Sequence, residues 1–371
     1  MKNLGSRLTS FLCFGALCLP VIAGFPAKPA AAQQGSGSDS IVLDTVITDK
    51  SGARITGLKA EDFTVLDNKQ RQAITVSEEG AGTAGSSVSV EAYVVVDEIS
   101  SPMGMLANER NDFIAYFKRI KELPLPTALV FFTADGLKFQ KEPSRDPAIL
   151  MANLEANPMK AQTFRTREST ESYYNAQGQY YSMEAQREKS LQAMNVLGLR
   201  LAKRPGRKLV IWVSPGWGDW GMQNSRMSRK DFEGLFSYEA GLATLLRAAR
   251  ITLYSVDSGG SDCSTCAQHS SYKGYIKGPA SPGDADQNDL MLQALVAKSG
   301  GKVLFGRNDM AGMVDECLKD VDGYYVITYP APATPHETTF HEIKVQVQKP
   351  GAQVRTRWGY YAMPKTASDA H

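Results

Sequence analysis

Two groups of side chains in this sequence have the types and spacing to do chemistry. Cys263-Ser264-Thr265-Cys266, with His269 following, places two thiols and an imidazole close together. A loop disulfide between Cys263 and Cys266 is the expectation, with inert thiols or soft ligands to zinc as the alternatives, although no fourth ligand is evident. Its Gly/Ser-rich surroundings argue against a thioredoxin-type redox site, and the pairing of Cys263, Cys266 and Cys317 is open. The second group is Asp135, Asp219 and Asp257, each near the expected end of a strand, where carboxylates could share one edge of a sheet. Structural acids occur at that edge as well, and catalysis is not expected of them. No Ser sits in a Gly-x-Ser-x-Gly elbow. Ser299-Gly300-Gly301-Lys302 reads as a helix C-terminal cap, not as a phosphate loop. His341 reads as a sheet residue and His371 is terminal, so no general base stands out.

A third feature suggests contact instead of reaction. Tyr173-Tyr174-Asn175-Ala176-Gln177-Gly178-Gln179-Tyr180-Tyr181 has the composition of an adaptable binding loop, or of an insertion whose tyrosines pack locally. Trp217 and Trp220 fall on an adjacent loop, and aromatic anchors dominate interface energetics. Trp217, Trp220, Tyr173, Tyr174, Tyr180 and Tyr181 are therefore the expected partner-binding residues.

The elements that must position these groups are legible as patterns. Leu209-Val210-Ile211-Trp212-Val213 is an apolar strand that stops at Ser214-Pro215-Gly216-Trp217. Residues 231–250 are helical in period, and Ile251-Thr252-Leu253-Tyr254-Ser255-Val256-Asp257 is a second buried strand. Strand, crossover helix and strand make a parallel unit, whose ligands sit at the carboxyl edge of the strands. Residues 214–219 and 257–260 should line that edge. Further strands are expected at 90–96, 128–132, 303–305 and 324–329, and helices at 105–123, 147–156, 183–202, 289–298 and 310–321. Unbroken apolar strands alternating with amphipathic helices indicate a parallel sheet covered on both faces.

The two ends of the chain read differently. Residues 41–48 alternate apolar and polar, 63–66 and 73–76 suggest a hairpin, and 340–348 and 354–362 return to strand character. Neither end has enough strands to stand alone, so the two should pair into one small β unit with the α/β part inserted between them. Residues 80–87 have the composition of a linker.

Residues 1–32 read as an export signal: Lys2 and Arg7 at the head, an apolar middle, and Ala30-Ala31-Ala32 before Gln33. The 43% hydrophobic content suits a globular chain. The formal charge is +2, and loss of Lys2, Arg7 and Lys28 would bring it to −1. No basic excess is left to neutralise phosphates, so nucleic acid is not an expected partner. No later segment is apolar enough to span a membrane. The expected location is secreted or periplasmic.

Seven stretches, in order, resemble the von Willebrand factor type A-related proteins of the acidobacterial type. They are DKSGARITGLKAEDF from Asp49, VVVDEISSP from Val94, PGRKLVIWVSPGW from Pro205, ARITLYSVDSG from Ala249, SGGK from Ser299, DGYYVITY from Asp322 and HEIKVQVQKPGAQVRTRWGYY from His341. The resemblance implies a doubly wound, mostly parallel α/β sheet with helices on both faces (type A/Rossmann-like), expected over 88–330. Residues 33–87 and 331–371 would then form a small β-sandwich-like domain. It also implies a protein-binding activity through a divalent cation, held by an Asp-x-Ser-x-Ser run plus a Thr and an Asp from later loops. Here that run stands as Asp97-Glu98-Ile99-Ser100-Ser101, so Ile99 replaces the middle hydroxyl. Thr163 or Thr166 could be the second-loop Thr, while Pro215 takes the place of the Asp and Asp219 is its substitute. The resemblance thus implies a degenerate site of Asp97, Ser101, Thr163 and Asp219, with no cofactor or at most magnesium. The bland alternative makes Asp97 a cap for the following helix.

The expectation is an exported, non-enzymatic protein-interaction module with an unidentified protein partner. Two other readings stay open: a metal-dependent hydrolase using edge carboxylates, and a purely structural envelope protein.

Overall fold

The computed structural model describes residues 40–80, 89–101, 103–159, 176–217, 227–260, 271–321, 323–332 and 338–362. In chain order the first strands are β1 (Ser40–Thr48), β2 (Phe63–Asp67), β3 (Gln70–Arg71), β4 (Thr75–Glu79) and β5 (Val90–Asp97). Then come α1 (Met103–Arg119), β6 (Thr127–Thr133), β7 (Gly136–Phe139), α2 (Pro147–Ala156), α3 (Ala176–Leu201) and β8 (Arg207–Val213). They are followed by α4 (Arg229–Ala248), β9 (Ile251–Val256), α5 (Leu292–Ser299), β10 (Val303–Leu304) and α6 (Met310–Leu318). The last strands are β11 (Tyr324–Pro330), β12 (Thr339–Val347), β13 (Gln353–Arg355) and β14 (Gly359–Ala362).

A six-stranded sheet runs in the order β10-β9-β8-β5-β6-β7, parallel throughout except for the β6–β7 edge. Side chains alternate across a strand, so an unbroken apolar run needs cover on both sides. Tyr93, Val95, Val130, Phe132, Val210 and Trp212 pack with α3, α4 and α5 residues such as Leu197, Leu242 and Leu295. Their neighbours Val94, Val96, Leu129, Phe131, Ile211 and Val213 pack with Phe113, Leu150 and Met313 of α1, α2 and α6. The fold is therefore mixed α/β, with a mostly parallel sheet flanked by helices.

The β8–α4–β9 unit stands as the pattern predicts. Helix α4 begins two residues earlier, because Ser228 and Asp231 form a reciprocal cap. Ser228 Oγ accepts from the Asp231 amide at 3.3 Å, and Asp231 Oδ2 accepts from the Ser228 amide at 2.7 Å.

The remaining strands form two antiparallel four-stranded sheets, β13-β1-β11-β4 and β14-β12-β2-β3. Ile41, Leu43, Tyr325 and Ile327 from the first share a core with Phe63, Val65, Ile343 and Val345 from the second. The two ends of the chain do interleave, since β1 pairs with β13 and β2 with β12.

Two expectations are corrected here. Residues 324–329 were expected to complete the parallel sheet, but β11 lies between β1 and β4 in the β unit. Its burial alternates along most of its length, with Tyr325, Ile327 and Tyr329 inward and Val326 and Thr328 half-buried. A strand covered on one face suits an antiparallel sheet. The hairpin partner of β2 is also β3, not residues 73–76. Asn68 and Lys69 take positive φ of 45 and 69, as a tight two-residue hairpin turn requires. Thr75–Glu79 then crosses to the other sheet.

Among the described residues, no helix is long and apolar enough to cross a membrane.

Candidate functional site

Parallel strands deliver their carboxyl ends to one edge, and here β5, β8 and β9 hand over Asp97, Ser214 and Asp257 side by side. Asp97 has no exposed surface. Its Oδ1 accepts from the amides of Ile99 at 3.0 Å and Ser100 at 2.9 Å. Its Oδ2 accepts from the indole Nε1 of Trp212 at 2.9 Å. Burial pushes the Asp97 carboxyl above the usual carboxylate range, against these hydrogen bonds. Asp257 is also buried, and its Oδ1 accepts from the Gly259 amide at 2.7 Å.

A third acid joins them. Glu109 on α1 is 1% exposed, and the Ser101 hydroxyl donates to its Oε1 at 3.4 Å. Burial pushes this carboxyl up to about 8, and the charges of Asp97 and Asp257 add to the rise while hydroxyls of Ser258 and Ser101 oppose it. Sequence reasoning missed Glu109 and Trp212, although each left a signal. Glu109 falls on the buried stripe of α1 defined by Leu106, Phe113 and Phe117, where a charge is out of place. Trp212 interrupts an aliphatic buried strand with an N–H that needs an acceptor.

The expected contact residues fare differently. Trp217 was expected on an exposed rim, yet it is 5% exposed and stands edge-on to Trp212, with centroids 5.2 Å apart at 80°. The chain turns back at Gly216, with φ of 102, and the large apolar ring is buried in the core under the edge. Tyr180 and Tyr181 belong to helix α3, which starts at Ala176 and not near 183. Ala and Gln in this stretch are good helix formers, and they extend the helix into the expected loop. Tyr173, Tyr174, Trp220, Thr163, Thr166, Asp219, Cys263, Cys266 and His269 lie outside the described residues. Cys317 is buried without a disulfide.

The expected carboxylate cluster is also corrected. Asp135 is exposed in the turn between β6 and β7, whereas Asp257 follows β9. Strands β6 and β9 are separated by β5 and β8, which at about 4.8 Å per spacing is about 14 Å. Asp257 has Asp97 and Glu109 for company instead.

Among the described residues, the side chains at this edge are already engaged within the chain and do not fit a divalent cation. Magnesium needs near-octahedral oxygens with carboxylates pointed at it. Three of the roughly four acceptor directions of Asp97 are taken by protein donors. Ile99 turns its side chain into the apolar core, Ser101 bonds Glu109, and Ser214 Oγ accepts from the Gly216 amide at 3.1 Å. Among the described residues, no group of three or more His, Cys, Asp or Glu side chains could hold a metal ion.

Away from this edge, two polar groups have structural roles. Nδ1 of His341 lies 2.6 Å from Oδ1 of Asp67, and Tyr329 and Tyr360 donate to Oδ2 at 3.0 and 2.8 Å. This network ties β2, β11, β12 and β14 together inside the β unit. A groove of about 670 Å³ lies where the β unit meets α6, lined by Arg54, Lys302, Lys319 and Arg355 among others. Each of these cations is matched to Asp315 or Asp320.

Comparison with known proteins adds little. No family model matches the chain, and no curated protein matches it. Among solved structures, the human COPII-coat protein Sec24c is similar over 78% of this chain and 46% of that chain, at 8% identity and a TM-score of 0.30. The chain thus spans less than half the length of that protein, and a likeness of this size carries no argument.

Proposed function

We propose that this chain is an exported, non-enzymatic protein-interaction module of the von Willebrand factor type A-related kind. In this reading a doubly wound, type A/Rossmann-like sheet is carried on a small β-sandwich-like unit, and the loops at the carboxyl edge grip a protein partner. The observation that carries it is the state of the edge acids. Asp97, Glu109 and Asp257 are each at most 3% exposed, and each is bound to a hydroxyl, an indole or loop amides. Carboxyls so enclosed cannot touch a substrate, which weighs against the hydrolase reading, but they hold loops in one shape. A preorganised surface binds with less ordering cost. The basic, apolar and small-residue order of residues 1–32 supports export.

The contact residues of this reading are Trp220, Tyr173, Tyr174, Tyr180 and Tyr181, with Trp217 withdrawn to a supporting role. Photo-crosslinking from positions 173 and 220 in the native envelope, followed by mass spectrometry, is the test. A single protein captured from both positions, and lost when the five aromatics become serine, supports the proposal. Capture that is indifferent to the five replacements places the binding face elsewhere.

A further inference from the structure

Residue register explains how the indole reaches Asp97. Val95 of β5 is paired with Trp212 of β8, and Asp97 stands two residues further along the same strand. Positions two apart share a face, so the Asp97 carboxylate lies diagonally from Trp212, within reach of a long side chain. The indole N–H closes that gap at 2.9 Å, with Trp212 fully buried. The edge-on ring of Trp217 then covers Trp212, and Ile99 packs in the same apolar cluster. The position where a cation would hold a type A edge is thus already occupied by bonds within the chain.

We infer that a tryptophan lock, Trp212 on Asp97 under the ring of Trp217, orders this edge in place of a divalent cation. Three features of the edge meet in it. Three acceptor directions of Asp97 are taken by protein donors, the middle hydroxyl of the implied ligand run is an inward-facing isoleucine, and Pro215 stands where the resemblance puts the acid. A hydrogen bond in a dry site is costly to break, because its donor and acceptor would stay buried without partners, and it needs no ion concentration to persist. Trp212 is on this account a positioning residue. The extension to partner binding, that it proceeds without metal, rests on the function proposed above.

Calorimetric titration of magnesium, manganese and calcium into the mature protein decides the cation question directly, together with thermal unfolding in EDTA and in each metal. The expected result is no saturable heat at millimolar metal and an unchanged midpoint. Saturable binding of any of the three that disappears in Asp97→Ala overturns the inference. The lock itself is read from Trp212→Phe, which keeps an aromatic ring but removes the donor. Its midpoint should fall, and adding Asp97→Asn should cost less in the Phe background than in the wild type. Equal costs in both backgrounds overturn the lock. If the variants fail to fold, the wild-type titrations still stand. They involve no partner, so a failure of the crosslinking experiment leaves them unaffected.

Discussion

The hydroxyl of Tyr254, in the middle of β9, donates to Oδ2 of Asp320 at 2.5 Å, and Arg355 from β13 pairs with the same oxygen. One buried carboxylate therefore joins the central sheet to the β unit. Lys302 reaches Asp320 Oδ1 at 3.1 Å and Arg54 approaches it at 3.9 Å. Burial alone would raise the Asp320 carboxyl, but Arg355 and Lys302 overcome it and hold it below the usual range. Removing one partner of a buried ion network strands the others without compensation. Asp320→Ala should lower stability by about 3 kcal/mol. Urea unfolding followed by tryptophan fluorescence measures it, and a change within error would show that the junction is held by other contacts.

Glu109 sets a second expectation. Its carboxyl is raised from 4.5 to about 8, chiefly by burial. Between those values the folded chain keeps a proton that the unfolded chain releases. The stabilisation is complete below the unfolded value, declines as pH rises towards 8, and changes no further above it. Glu109→Gln is neutral at every pH, so its unfolding midpoint should lack this decline. The variant should gain on the wild type from acid to alkaline pH, and parallel profiles would contradict the assignment.

Asp67 behaves in the opposite sense. Burial raises its carboxyl, but the bonds from His341, Tyr360 and Tyr329 prevail and its pKa lies below 3.8. Its contribution is present above the unfolded value and is lost as pH falls through the lower folded one. Asp67→Asn should cost about 2 kcal/mol at neutral pH, since hydrogen bonds to a charged acceptor are lost. The difference from wild type should shrink in acid, as acid-unfolding curves would record.

Trp217 separates support from contact. Replacing a buried Trp by Ala costs about 3 kcal/mol or more through lost burial and a cavity. Trp217→Ala should therefore lower the thermal midpoint, whereas Trp220→Ala should act on partner capture with little change in midpoint. Unchanged stability in Trp217→Ala would return that ring to the list of contacts.

Composition and periodicity were enough for the inner strands of the central sheet. Residues 92–96, 128–132 and 209–213 are unbroken apolar runs, and only a strand covered on both faces makes use of such a run. The pairing of the chain's two ends was legible too, because neither end could form a core unaided. The place of residues 324–329 was not. Tyr-Tyr-Val-Ile-Thr-Tyr satisfies either kind of sheet locally, and its assignment waited on β1 and β4 being there to receive it.

At the edge the division is sharper. Sequence alone located Asp97 and Asp257 at strand ends, since a strand's limit is a local matter. It did not show that Trp212 donates to Asp97 across 115 residues, or that His341 meets Asp67 across 274. Nor did it turn Trp217 inward or bring Glu109 to the two aspartates. Such encounters depend on strand register and on which helix face packs down, and long-range packing chooses both, so only the tertiary structure decided which polar groups are neighbours.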